Sequence, residues 1–387
     1  MTRMPEPFGL YIHWPFCKSK CPYCDFNSHV HQSFDEQAWA EAIIAQLQHA
    51  HTWVAGRPLT SVFFGGGTPS LLTPKTVGLI LDQIHRLWPL SSVAEITLEA
   101  NPTSLEAQHL PGYRAAGVNR LSLGVQALRD EDLAFLGRQH TAGEACQAIA
   151  MAQTHFENFS FDLIYARPHQ TAAAWETELR QALTYGSPHL SVYQLTIEPG
   201  TAFYTQHQRG ELEVPGEEEA AELYDLTQEI LTAAGMPAYE VSNHARPGFE
   251  CQHNMLYWQY HDYVGVGPGA HGRVTLEGVK QATVQSKAPA PWMQAVHSGK
   301  LAPEKTEAVT GVTLHEEFLL MGLRLVQGFS LDHYRSVTGV SLTDQIPASK
   351  WQALVQEGLL IATDTTWRLT SLGLKKANAV WRYLSSS

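Results

Sequence analysis

His13-Trp14-Pro15-Phe16-Cys17-Lys18-Ser19-Lys20-Cys21-Pro22-Tyr23-Cys24-Asp25-Phe26 is the stretch on which the fold and chemistry of this chain turn. Its C-x3-C-x2-C spacing gathers three thiolates in one loop. A structural zinc site takes four protein ligands, so a zinc loop here would need a fourth, such as His13 or His29. A cubane iron–sulfur cluster has four irons, and three thiolates leave one of them open to an exchangeable ligand. Tyr23 and Phe26 suit a cluster, because an apolar shell limits water access and tunes the potential.

Outward from this loop, the sequence from residue 9 to about 197 alternates short β-branched or aromatic runs with longer amphipathic segments. Strands are expected at Gly9–His13, Ser61–Phe64, Glu95–Glu99, Val118–Leu123, Ser160–Ile164 and Leu190–Leu195. Helical patterns lie between them at about 35–50, 74–88, 104–116, 130–155 (broken near Thr141) and 171–185. Strands joined by helical crossovers imply a parallel α/β sheet. In such sheets ligand sites gather where strands end. The cysteine loop follows the first strand, Gly65-Gly66-Gly67-Thr68 follows the second, and Glu99 ends the third. Gln126 lies just past the fourth, whereas Asp162 lies on the fifth. Most of these could share one mouth.

Each residue has a plainer reading. A glycine run lets backbone approach a ligand closely, but it also makes an ordinary turn. Glu99 would be costly without a partner, and a salt bridge to a helix would satisfy it as well as a ligand would. Tyr11, six residues before Cys17, could be core. Arg138 reads as a helix-end cation.

With 44% hydrophobic and 17% charged residues in 387, the chain reads as an ordinary globular protein with room for an appended domain. Five cysteines, three of them in one loop, argue against a disulfide scaffold. No apolar signal core or bilayer-length run is seen, and a cytoplasmic location is expected. A formal charge of −12 disfavours nucleic acid as the main partner.

Beyond 198 come a Gly/Pro-marked connection, a helix over Glu217–Ala233, and a Gly-rich region, Tyr257–Gly272. The end, Trp351–Leu384, reads as helix, hairpin (Leu359–Ile361, Trp367–Leu369) and helix, the order of a winged-helix module. In an acidic chain a packing domain is the expected use, rather than DNA binding.

The cysteine loop resembles that of the radical S-adenosylmethionine (radical SAM) superfamily. The resemblance implies a [4Fe–4S] cluster on Cys17, Cys21 and Cys24, with S-adenosylmethionine seated by Tyr11, Gly66 and Glu99. It also implies an open, partial (β/α)6 barrel followed by an α-rich, winged-helix-like C-terminal domain. The stretches Leu123–Gln126, Leu136–His140 and Phe161–Tyr165 are similar to the subfamily related to oxygen-independent coproporphyrinogen III oxidase. There Gly67, Thr68, Gln126, Arg138 and Asp162 would surround a second S-adenosylmethionine. Ala166-Arg167 departs from the Gly-Leu usual at that place and is expected to set a cation near the second site. The short segment before Cys17 and the H-N-x-x-Y-W run His253-Asn254-Met255-Leu256-Tyr257-Trp258 point to the haem-chaperone branch. That branch implies haem, with His253 or Cys251 as axial ligand and Tyr257 and Trp258 covering the macrocycle. It also implies a haem-accepting protein, such as a respiratory enzyme, as partner. On this reading 1–235 is the core, 236–300 an extension carrying the haem motif, and 301–387 the C-terminal domain. Porphyrinogen decarboxylation is the alternative activity, and pairing into a homodimer stays open.

Overall fold

The structure is a computed structural model that describes residues 6–31 and 33–386. Eleven strands form one mixed sheet: β1 (Phe8–Trp14), β2 (Leu59–Gly66), β3 (Leu90–Ala100), β4 (Arg120–Gln126), β5 (Asn158–Tyr165), β6 (His189–Gln194), β7 (Asn243–Ala245), β8 (Asp262–Val266), β9 (His271–Leu276), β10 (Val279–Val284) and β11 (Lys305–Ala308). Their spatial order is β11-β10-β9-β8-β1-β2-β3-β4-β5-β6-β7. Pairing is parallel from β8 through β6, and β7, β9, β10 and β11 join antiparallel. The sheet does not close: β11 and β7 are its two edges.

The six expected strands are β1 to β6. Alternation sets their faces. On β1, Phe8, Leu10, Ile12 and Trp14 are buried in the main core, whereas Tyr11 stacks on Phe63 of β2. Helices Glu36–Val54, Pro74–Leu87, Ala142–His155 and Ala172–Thr184 make crossovers. Side-chain caps start them: Asp35 accepts from the Ala38 N–H, Thr73 from Thr76, and Thr171 from Ala174. The break near Thr141 is a helix start. Thr141 and Glu144 form a reciprocal capping box, and Asp130–Phe135 is a separate short helix before it. The pattern over 104–116 likewise divides into Ser104–Ala107 and Leu110–Ala115.

The parallel array has a seventh member. β8 comes from the Gly-rich region and slots beside β1, with Tyr263 opposite Gly9 and Gly265 opposite Tyr11. A second core lies in the C-terminal part, where Phe318, Tyr334, Trp367 and Leu369 pack together. There β12 (Phe329–Ser330), β13 (Leu360–Ala362) and β14 (Thr366–Leu369) form a small antiparallel sheet in the order β12-β14-β13. It is the expected hairpin plus one strand too short to read from sequence. The two parts meet through Arg273, which grips Glu317 with Nε and Nη2, each at 2.9 Å.

Candidate functional site

The cysteine loop leaves the carboxyl end of β1 and is bracketed by a two-residue parallel pairing, Phe16–Cys17 with His29–Val30. All three cysteines are free and half-buried. Burial and the neighbouring sulfurs push the Cys17 thiol above its usual range, and burial does the same to Cys24. Donors oppose this. Thr68 Oγ1 donates to Cys17 Sγ at 3.3 Å, and Arg138 Nη1 donates to Cys21 Sγ at 3.3 Å. Ser28 Oγ lies 3.9 Å from Cys24 Sγ. Such donors favour thiolates, the form that binds metal. Among the described residues no three His, Cys, Asp or Glu side chains are grouped to hold a single metal ion. A cubane spreads its thiolates over separate irons, and three free thiols with hydrogen-bond donors suit that donor set. His13, one fourth zinc ligand considered, already uses both ring nitrogens, Nδ1 with Tyr11 Oη and Nε2 with the Asn27 carbonyl.

At the end of β2 the glycines are sterically required. Gly66 has φ +113°, and a Cβ there would lie 2.7 Å from the Trp14 carbonyl oxygen. A Cβ on Gly67 would lie 2.6 Å from the Phe16 carbonyl oxygen and 3.1 Å from Cys17 Sγ. The Gly66 N–H donates to Glu99 Oε2 at 3.2 Å. Burial, then the charge of Asp162, push the Glu99 carboxyl up to about 8. Burial also raises Asp162, to about 6, against the pull of Ser191, Arg120 and Arg138. Two inward carboxyls that resist ionisation suit a cationic or hydroxyl-bearing guest.

Asn101, not singled out in the sequence, joins the two cysteine donors. Its Nδ2 donates to Thr68 Oγ1 at 3.2 Å, and its Oδ1 accepts from Arg138 Nη2 at 2.6 Å. Arg138 also donates to the Gly124 carbonyl at 2.8 Å. Gln126 sits at an irregularity in the β4–β5 pairing with φ 76°, a left-handed conformation unusual for a residue with a side chain. Gly67, Thr68 and Arg138 therefore crowd the cysteines, Gln126 closes the end of β4, and Asp162 faces Glu99 electrostatically from within the sheet.

A cavity of about 500 Å³ opens beside the loop. Tyr11, His13, Gly66 and Glu99 line one wall, Asp25, Phe26 and Asn27 another, and Tyr257, Tyr263, Gly269, His271 and Lys287 the third. Asn27 ties two walls together, donating from Nδ2 to the Pro268 and Lys287 carbonyls, each at 3.0 Å. Tyr263 and Lys287 of the third wall escaped the sequence reading, because β8 reaches the mouth only through its place beside β1.

His253 is 1% exposed, and both ring nitrogens are engaged. Nδ1 pairs with Ser61 Oγ at 2.8 Å and Nε2 with Tyr257 Oη at 2.7 Å. Burial, then Arg120, press its imidazole down to about 3. Cys251 is fully buried beside Glu95, and burial pushes its thiol up to about 12. Trp258 parts company with Tyr257, for Arg324 of the C-terminal part stacks 4.6 Å over its ring. The cation expected near the second site is also elsewhere. Arg167 is buried in an ion pair with Glu178 and lies 3.3 Å from Asp132, so its charge is spent against the helix layer. Ala166, at φ 57°, occupies the left-handed conformation that glycine adopts without strain.

Comparison with known proteins agrees with this geometry. The Radical SAM superfamily model matches residues 11–182, and the HemN C-terminal domain model matches 311–374. The chain is 40% identical to the mitochondrial radical S-adenosyl methionine domain-containing protein 1 of Bos taurus, covering 95% of this chain and 84% of that protein. It is 36% identical to heme chaperone HemW of Escherichia coli over 96% of both chains, and 35% identical to HemW of Bacillus subtilis over 96% and 98%. Its fold matches coproporphyrinogen III oxidase (HemN) of Escherichia coli with a TM-score of 0.82 at 21% identity, covering 99% of this chain and 91% of that one. With near full-length relatives, a cysteine loop at the mouth of an open α/β sheet and a HemN-type C-terminal part, the chain belongs to the radical SAM superfamily, in its HemW heme chaperone branch.

Proposed function

We propose that this protein binds haem and passes it to an acceptor protein, using a radical SAM site as its resident cofactor centre. Cys17, Cys21 and Cys24 hold a [4Fe–4S] cluster; Tyr11, Gly66 and Glu99 seat S-adenosylmethionine at the open iron. Gly67, Thr68, Gln126, Arg138 and Asp162 are the candidates for a second S-adenosylmethionine. When bound, the pair would supply one-electron chemistry; the chain's own residues orient it, with Thr68 and Arg138 donating to the Cys17 and Cys21 sulfurs. The extension at 236–300 carries the haem motif, and 301–387 packs against it. The observation carrying the haem proposal is the similarity to relatives named heme chaperone HemW, 34% to 36% identical over 96% of this chain. The cavity of about 500 Å³ that opens against the cysteine loop, lined by Tyr11, Gly66 and Glu99, supports the seat for S-adenosylmethionine.

Titration of the purified protein with haemin, followed in the Soret band, should saturate at a fixed stoichiometry; a linear, non-saturable rise would remove the proposal. The same preparation, reduced and supplied with coproporphyrinogen III, should leave it intact. Conversion to protoporphyrinogen would establish a decarboxylase instead.

A further inference from the structure

We infer that Asn101 is a positioning residue for the cluster: its one amide aims the Thr68 hydroxyl at Cys17 and the Arg138 guanidinium at Cys21, and through these two donors raises the reduction potential of the centre. The inference rests on the reading of Cys17, Cys21 and Cys24 as the holders of a [4Fe–4S] cluster. It deepens that reading by naming the residue that decides which sulfurs receive hydrogen bonds.

The sense of each bond follows from donor chemistry. A guanidinium carries N–H donors and no acceptor, so the amide atom 2.6 Å from Arg138 Nη2 is Oδ1. Nδ2 is thereby turned to Thr68 Oγ1, 3.2 Å away, where it can only donate. With an N–H arriving from that side, the Thr68 O–H has to point elsewhere, and Cys17 Sγ lies 3.3 Å off. On the other side Arg138 Nη2 gives one N–H to Asn101 and one to the Gly124 carbonyl at 2.8 Å. Those two bonds lock the guanidinium plane and set Nη1 on Cys21 Sγ at 3.3 Å.

Asn101 is itself held. Its backbone N–H is shared between Ser70 Oγ and Glu106 Oε2, each at 3.2 Å, and both of those side chains are buried. Pro102 after it restricts its backbone to extended conformations. The space around the amide is tight, for a Cβ on Gly124 would lie 3.3 Å from Arg138 Nη2 and 3.7 Å from Asn101 Oδ1. Groups that hold a metal's ligands in this way orient them and tune the centre. Hydrogen bonds to the sulfurs help set a cluster's potential, and donors favour the more negative, reduced state.

An EPR-monitored redox titration of the full-length protein, reconstituted anaerobically without S-adenosylmethionine, reads the effect independently of turnover. Asn101→Leu, neutral and close in size, should shift the midpoint to more negative values. Asn101→Asp keeps an acceptor for Arg138 but draws the Thr68 O–H to itself, and should shift the midpoint the same way. Either variant suffices where the other fails to fold. In a Thr68→Val background, which already lacks one donor, Asn101→Leu should move the potential less than it does in the wild type. A merely structural role would lower cluster content without moving the midpoint. That result, or a shift of equal size in both backgrounds, would overturn the inference and leave the cluster standing. Reconstituted wild-type protein without iron and sulfide would remove the cluster and the inference together.

Discussion

Arg138 Nη1 donates to Cys21 Sγ at 3.3 Å while Nη2 holds Asn101, so one guanidinium both touches the cysteine loop and tethers it to the segment after β3. A cation hydrogen-bonded to a cluster sulfur stabilises the reduced, more negative state. Arg138→Met should therefore shift the potential of the reconstituted cluster to more negative values and lower cluster affinity by about 10-fold or more. An EPR-monitored redox titration checks the first effect, and iron and sulfide content under chelator challenge the second. An unchanged potential would mean the contact is structural only.

The buried carboxyls predict a pH dependence whose sign is opposite to the usual acid destabilisation. Glu99 is raised to about 8 and Asp162 to about 6 in the folded protein. The folded chain thus binds more protons than the unfolded chain, and the stability this contributes is fully present below the unfolded values and lost as pH rises through the folded ones. For the protein without cofactors, the contribution from these two groups should fall from about pH 4 to about pH 8. Glu99→Gln should flatten that slope, measured by urea unfolding at a series of pH values. A slope unaltered by the substitution would show that Glu99 ionises normally.

Arg167 and Glu178 are both buried, and Glu178 also accepts the Leu128 N–H at 2.8 Å. Removing one partner of such a pair strands the other, at about 3–5 kcal/mol. Arg167→Leu should cost that much in chemical denaturation, and adding Glu178→Gln should recover most of it. Equal losses in the single and double variants would refute the coupling.

Ala166 holds a left-handed conformation that costs a residue with a Cβ roughly 1–2 kcal/mol. Glycine there relieves the strain but gains unfolded-state entropy, so Ala166→Gly should stabilise by about 1 kcal/mol at most. A clear destabilisation in the same unfolding experiment would show that packing of the methyl group outweighs the backbone.

How much of this was legible in the sequence depends on distance along the chain. The cysteine loop, the glycines after β2 and Glu99 announce themselves because spacing and strand ends are local properties. Thr141 marked its helix start for the same reason. β8 did not read as a strand, since Gly265-Val266-Gly267-Pro268 looks like loop until β1 supplies hydrogen-bond partners. Asn101, Tyr263 and Lys287 carry no local signature; each acquires its place through a neighbour far away in sequence. The H-N-x-x-Y-W run was visible as a unit, but only packing divides it, sending Tyr257 to the cavity and Trp258 under Arg324. Arg167 shows the converse error, in which a charge close in sequence to Asp162 finds its counter-ion in another layer.

The Asn27 amide, three residues past the last cysteine, bonds to the carbonyls of Pro268 and Lys287. It acts as a latch between the cysteine loop and the opposite rim of the mouth. Loop and entrance are thereby coupled mechanically, so a displacement of the one is passed to the other.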